Sequence, residues 1–258
     1  MKTRYFFLTG LTTAIVMTLT SCISSLDKRT LFDADYVTEN RPLKDFEEIE
    51  INGSPTVYYE QADSFSVKVK GPDKHVEYIL TEKAGKSLVI RNKGKIGMFN
   101  ILMTDDDELA VYVTSPDLVS VTLNGSGDFI SKSQIDTDDM KIALRGSGDI
   151  SIKDLVCDHC RVELIGSGDI DLDQVDTRIA IASLIGSGDI DLKLRNTEET
   201  RLSLKGSGDI SAKFSEGCKS VECELHGSGD INLEGNVSHF SKQKSGSGDV
   251  NVGKLTVK

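Results

Sequence analysis

The chain has 258 residues, with 30 Lys and Arg against 41 Asp and Glu, a net charge of −11 and no Trp. So acidic a chain is repelled by phosphate backbones, which argues against nucleic acid as a partner. The length suits one large or two small domains, and no hydrophobic run beyond the N-terminal segment is long enough to span a bilayer.

Lys2 and Arg4 precede a largely apolar stretch, Tyr5 to Leu19, and small residues then lead into Cys22. This order reads as a secretory signal peptide over residues 1–21. The junction Leu19-Thr20-Ser21-Cys22 resembles the lipobox of bacterial lipoproteins, which implies cleavage before Cys22 and lipidation of its thiol and new amine. More than one acyl chain makes such an anchor stable. Cleavage removes Lys2 and Arg4 but no acid, so the net charge moves from −11 to −13. Residues 22–45 have little periodicity and read as the lipidated cysteine and a tether. Only Asp27 lies close behind Cys22, so the signal for export to the cell surface is weak. The expected location is the cell envelope, anchored by lipid to the outer membrane, on either side of it.

Residues 46–115 carry strand signals separated by irregular loops: "INGSPTVYYEQ", "FSVKVKG", "SLVIRN" and "LAVYVTS". Residues 116–258 are regular. GSGD begins at Gly125, Gly146, Gly166, Gly186, Gly206, Gly227 and Gly246, at steps of 21, 20, 20, 20, 21 and 19 residues. The fourth residue after each first glycine is apolar: Phe129, Ile150, Ile170, Ile190, Ile210, Ile231 and Val250. Two residues before it stand Leu123, Leu144, Leu164, Leu184, Leu204 and Leu225. Polar residues alternate with these on both sides of the motif, which is the pattern of half-buried strands.

Each repeat therefore predicts strand, corner, strand, and the expected fold is all-β: a β-solenoid of about 20-residue coils. The competing architecture is an antiparallel meander with GSGD as its hairpin turns. Gly53 matches the frame as a degenerate earlier corner, with Pro55 in place of the second glycine. In the last coil Lys242 and Lys244 replace the inward apolar residues, as a polar cap on an open end would.

The corner glycines supply φ > 0, and the acids Asp128, Asp149, Asp169, Asp189, Asp209, Asp230 and Asp249 tie the turns through backbone N–H groups. Stacking would set these acids in a column about 4.8 Å apart. The alternative reading is a calcium ridge, though each corner offers one carboxylate where calcium takes several oxygens. The structural reading is preferred, and no cofactor or metal is expected.

Four cysteines follow the signal peptide in the regular half: Cys157, Cys160, Cys218 and Cys223. An oxidising compartment favours disulfides. Cys157 and Cys218 lie three coils apart in the frame, about 14 Å, beyond the reach of a disulfide of about 7 Å between Cα atoms. The expected bonds are local, Cys157–Cys160 and Cys218–Cys223, with free thiols, metal or redox chemistry as alternatives. The acidic run Asp105-Asp106-Asp107-Glu108 lacks a calcium-loop spacing and reads as a solvated loop.

The lipobox, the turn in "INGSPTVYYEQ", and "SPDLVSVTLNGSGDF" followed by successive GSGDI coils together resemble the head-GIN domain family of auto-transporter adhesins, found in envelopes of Bacteroidetes-type bacteria. The resemblance covers about residues 46–258. It implies a β-helix-like fold and brings no catalytic residues.

Repeated aspartates share one environment, which disfavours the unlike pair of acids a glycosidase needs. His75, His159, His226 and His239 form no motif. The expected function is a non-catalytic adhesion or binding module, with an envelope scaffold as the alternative and a polysaccharide-acting enzyme behind it. Expected partners are the membrane through the lipid, a glycan or protein ligand, and a second copy of the chain. Tyr58, Tyr59, Tyr78 and Tyr112 make the N-terminal half the better place for a ligand.

Overall fold

The computed structural model describes residues 35–94 and 109–258. The signal peptide, Cys22 and the acidic run Asp105–Glu108 lie outside them. Residues Ala34–Lys258 form one compact unit.

The strands are β1 (Tyr36–Arg41), β2 (Glu48–Gly53), β3 (Thr56–Gln61), β4 (Ser66–Pro72), β5 (Ile79–Ala84), β6 (Ser87–Asn92), β7 (Ala110–Ser115), β8 (Ser120–Gly125) and β9 (Asp128–Asp136). They continue with β10 (Asp139–Gly146), β11 (Asp149–Gly166), β12 (Asp169–Gly186), β13 (Ile190–Arg195), β14 (Thr197–Gly206), β15 (Ile210–Gly227), β16 (Ile231–Gly246) and β17 (Val250–Val257). One short helix, α1 (Asp73–Val76), follows β4.

The repeat dictates parallel stacking. Leu144 pairs with Leu164, Leu164 with Leu184, Leu184 with Leu204 and Leu204 with Leu225, each at the same level of its strand. These leucines are fully buried, and burying one such side chain stabilises by about 1.5–3 kcal/mol. The chain is thus a β-solenoid with one coil per repeat, and the meander is excluded because the coils pair parallel. Within β11 the buried positions run 150, 152, then 155, 157, then 160, 162, 164. The alternation slips twice, so each coil bends twice besides turning at its GSGD corner. We call the outer surface of the strands leading into the corners face A, and that of the strands leaving them face B.

The N-terminal part shares this core. Ile51 of β2 stacks on Leu123 and on Ile90 of β6, so the leucine ladder runs on into the irregular half. Stacking order departs from chain order here. The coil β2–β3 lies between β8–β9 and β6–β7, so the chain enters one coil inside the end and then adds the outer coil. Antiparallel β1, β4 and β5 close that end. The expected tether over residues 22–45 is therefore too long. Residues 36–41 are β1, held to β4, because antiparallel pairing needs only backbone groups and no apolar alternation.

At the other end Lys242 and Lys244 stand over Cys223 and Leu225 and are exposed. Among the described residues no coil pairs over them, and their long stems can lie on the core end while the charged heads reach water. Lys244 also donates to Asp249 at 2.6 Å.

Candidate functional site

The repeated corner was the first candidate. The carbonyl oxygen of Gly166 accepts the N–H of Ser187 at 2.9 Å and of Gly188 at 3.3 Å, and the same pair of bonds recurs up the stack. Gly186 has φ +142, a conformation that favours glycine. Gly188 has no positive φ; a Cβ there would land on the carbonyl oxygen of Gly168. The first glycine thus serves the turn and the close approach of the next coil, and the second serves the approach alone. At the outer coil no GSGD lies beneath Gly53, and the side chain of Asn92 substitutes: its Oδ1 accepts the N–H of Ser54 at 2.8 Å.

The Asp column ties coil to coil rather than closing its own turn. Asp169 N–H donates to Oδ1 of Asp149 at 3.1 Å, Asp189 to Asp169 at 3.0 Å and Asp209 to Asp189 at 2.9 Å. Asp230 donates to Asp209 at 2.8 Å and Asp249 to Asp230 at 2.7 Å. At the start of the column Asp128 accepts instead from the hydroxyl of Thr56. At its end the ammonium of Lys244 holds the Asp249 carboxyl below the usual range. One oxygen of each internal carboxylate is engaged by backbone, and among the described residues no acids, histidines and cysteines gather as a metal site.

Cys157, Cys160, Cys218 and Cys223, the residues of the expected local disulfides, are buried and carry free thiols in this structure. Cys218 and Cys223 belong to different ladders, Cys218 between Thr197 and Val237 and Cys223 between Leu202 and Lys242. Cys218 donates to the carbonyl of Ser220 at 3.2 Å. Cys157 and Cys160 do share a hydrogen bond, which holds Cys157 below the usual thiol range and raises Cys160, itself raised further by burial. Between them on the surface, His159 Nδ1 meets Asp139 at 2.6 Å and its Nε2 meets Arg178 at 3.1 Å. Arginine can only donate, so Nε2 accepts and Nδ1 carries the proton to Asp139.

Face B carries the other candidate. Its outward residues form one row across the stack: Lys68, Tyr112, Tyr58, Ile130, Ser151, Asp171, Asp191, Ser211, Asn232 and Asn251. Neighbours in such a row are about 4.8 Å apart. Tyr58 and Tyr112 stack with ring centroids 5.2 Å apart and planes 18° from parallel. With Lys68, Lys132 and Glu60 they line an open groove of 400 Å³. Further along, a groove of 720 Å³ runs past Asp171, Asp191, Lys193 and Asn232. Partial burial raises the Asp171 carboxyl, helped by Asp173 and Asp191 and opposed by Lys193.

The structure does not gather all four tyrosines of the N-terminal half. Tyr59 points inward, stacks on Phe129 at 6.0 Å and bonds the hydroxyl of Ser115 at 3.0 Å. Burial pushes its phenol up to about 12. Tyr78 lies in the chain between α1 and β5 and is not a member of the row.

The family model described as "Putative auto-transporter adhesin, head GIN domain" matches residues 45–219 and 175–258. The chain belongs to this family. Solved structures agree with the head GIN fold. A "putative adhesin" from Bacteroides fragilis is 25% identical with a TM-score of 0.75, over 84% of this chain and 96% of that one. A "putative adhesin" from Parabacteroides merdae is 20% identical, with a TM-score of 0.63 over 84% and 97%. A "Putative lipid binding protein" from Parabacteroides distasonis is 21% identical, with a TM-score of 0.56 over 84% and 98%. Comparison with curated proteins found no match.

Two features of this head GIN domain escaped sequence reasoning. The role of Asn92 depends on the inverted order of the first coils, which leaves no local signal. The row on face B was readable in part, because its members sit five residues after each first glycine.

Proposed function

We propose that this head GIN chain is a lipid-anchored envelope protein whose solenoid is a non-catalytic adhesion module, and that it holds a glycan along face B. The observation that carries this reading is the stacked Tyr58–Tyr112 pair, which Ile130 joins to an outward row of hydroxyl, carboxylate and amide groups from Ser151 to Asn251. Tyrosines offer apolar ring surface and a polar tip at low entropic cost. The row repeats its hydrogen-bonding groups at strand spacing, which suits a ligand that is itself a chain of repeated polar units. The regular core is filled by Leu and Ile ladders, so its apolar volume serves stability. A lipid ligand, named for one structural neighbour, is less well supported, because the grooves on face B are open to solvent and Asp171, Asp191, Lys193, Lys68 and Lys132 stand in them.

The test is retention of the mature chain on an array of envelope and host glycans, with Tyr58→Ala and Tyr112→Ala as variants. Retention that falls about tenfold in both variants, with melting temperature unchanged, supports the reading. Retention unaffected by either variant, or no retention of the parent, refutes it.

A further inference from the structure

Face A is charged or polar at most outward positions, but not along β12. There the outward residues are Ile179, Ile181, Ser183 and Ile185, and Ile165 of β11 lies beside Ile185. Ile185 is 44% exposed. Single exposed apolar residues are ordinary, whereas a contiguous stripe marks a contact surface.

The charges flanking this stripe are ordered. Asp139, His159, Ile179 and Glu199 share one level, and Arg145, Ile165, Ile185 and Lys205 share another six residues on. Between them lie the level of Arg161 and Ile181 and the level of Glu163 and Ser183. The centre of the pattern is the level of Ala182. On either side of it, acid stands against base: Asp139 against Arg145, Arg161 against Glu163, Glu199 against Lys205.

We propose that face A binds a second copy of this chain, in a twofold dimer centred on the isoleucine stripe of β12. A twofold axis across the strands at the level of Ala182 lays each strand antiparallel over its own copy. Asp139 then meets Arg145, Arg161 meets Glu163, Glu199 meets Lys205 and Ile179 meets Ile185. A patch that complements itself is what a twofold interface requires. Arg161 and Lys205 form no ion pair among the described residues and gain one here. The like-charged pair, Glu222 over Glu224, falls at the rim, where Arg201 lies 3.5 Å from Glu222. Seven residues on each of five strands, β10, β11, β12, β14 and β15, cover about 550 Å² per copy. The total of about 1,100 Å² exceeds the roughly 1,000 Å² that a biological interface needs and falls in the range of weak, reversible association.

The axis runs along the direction of coil stacking. Each coil therefore faces the same coil of its partner, and both N-terminal ends point the same way. If Cys22 carries lipid, as proposed above, both copies reach one membrane, and confinement there raises their effective concentration.

Sedimentation equilibrium of the mature chain beginning at Ile23, which lacks the lipid, tests the dimer independently of any glycan. The parent should dimerise. Arg161→Glu or Glu163→Arg should each weaken the dimer about tenfold, and the double swap R161E/E163R should restore it to within about threefold. Ile185→Asp should abolish it, with melting temperature near that of the parent. A monomer up to about 1 mM overturns the proposal. So does a dimer indifferent to Ile185→Asp, or a double swap that fails to restore association.

Discussion

The carbonyl oxygen of Gly168 occupies the place where a Cβ on Gly188 would stand. The glycine is therefore fixed by the coil beneath it and not by its own backbone angle. Neither atom is at the end of a flexible side chain, so the clash can be relieved only by parting two coils. Gly188→Ala should cost about 3 kcal/mol or more in urea unfolding. Gly253→Ala, where an added Cβ meets nothing within 4 Å, should stay within about 0.5 kcal/mol. A neutral Gly188→Ala would show that the coils do not approach this closely.

Asp189 stands in the middle of the column, accepting the N–H of Asp209 at 2.9 Å and donating its own to Asp169 at 3.0 Å. Asp189→Ala removes the acceptor for Asp209 and should cost about 1 kcal/mol. Asp189→Asn keeps an oxygen in place and should cost less. Because backbone already engages the column, added calcium should leave the melting temperature of the parent unchanged. A rise that grows with calcium concentration would reveal a bound cation.

The regular half was legible because its repeat fixes register as well as strands. Once Leu144, Leu164 and Leu184 share a spacing, their ladder follows, and parallel stacking is the simplest way to bury them. The N-terminal half was legible only as strands. The position of β6–β7 outside β2–β3 depends on non-local pairing and has no sequence period to announce it. Within the corner, the sequence predicts a role in the turn for both glycines. The second glycine answers to a neighbouring chain segment, which only packing reveals. The stripe on β12 did have a signal: "RIAIASLI" breaks the polar alternation that the other coils keep.

Tyr59 gives the fold an alkaline limit. Burial pushes its phenol from the ordinary tyrosine range, about 10, up to about 12 in the folded chain. A raised folded pKa favours the neutral form in the native state. Its contribution is complete below about pH 10 and is lost as pH rises from 10 towards 12, at up to about 1.4 kcal/mol per pH unit. Urea titrations across this window should show a shallower decline for Tyr59→Phe than for the parent. An equal decline in both would place the alkaline limit elsewhere.

The cysteines should oxidise unequally. Cys157 and Cys160 are in hydrogen-bond contact, and Cys157 is the more acidic. Its thiolate can attack a small disulfide such as oxidised glutathione, releasing one glutathione thiol. Cys160, once deprotonated, then displaces the second, leaving a Cys157–Cys160 bond and a chain two hydrogens lighter. Cys218 and Cys223 face different ladder neighbours, and burial raises both thiols, Cys223 to about 12. They should remain free. Alkylation in denaturant followed by peptide mass spectrometry separates the cases, with Cys157→Ser as the variant that should lose the bond. Equal yields of Cys157–Cys160 and Cys218–Cys223 would mean that the two ladders do not hold the second pair apart.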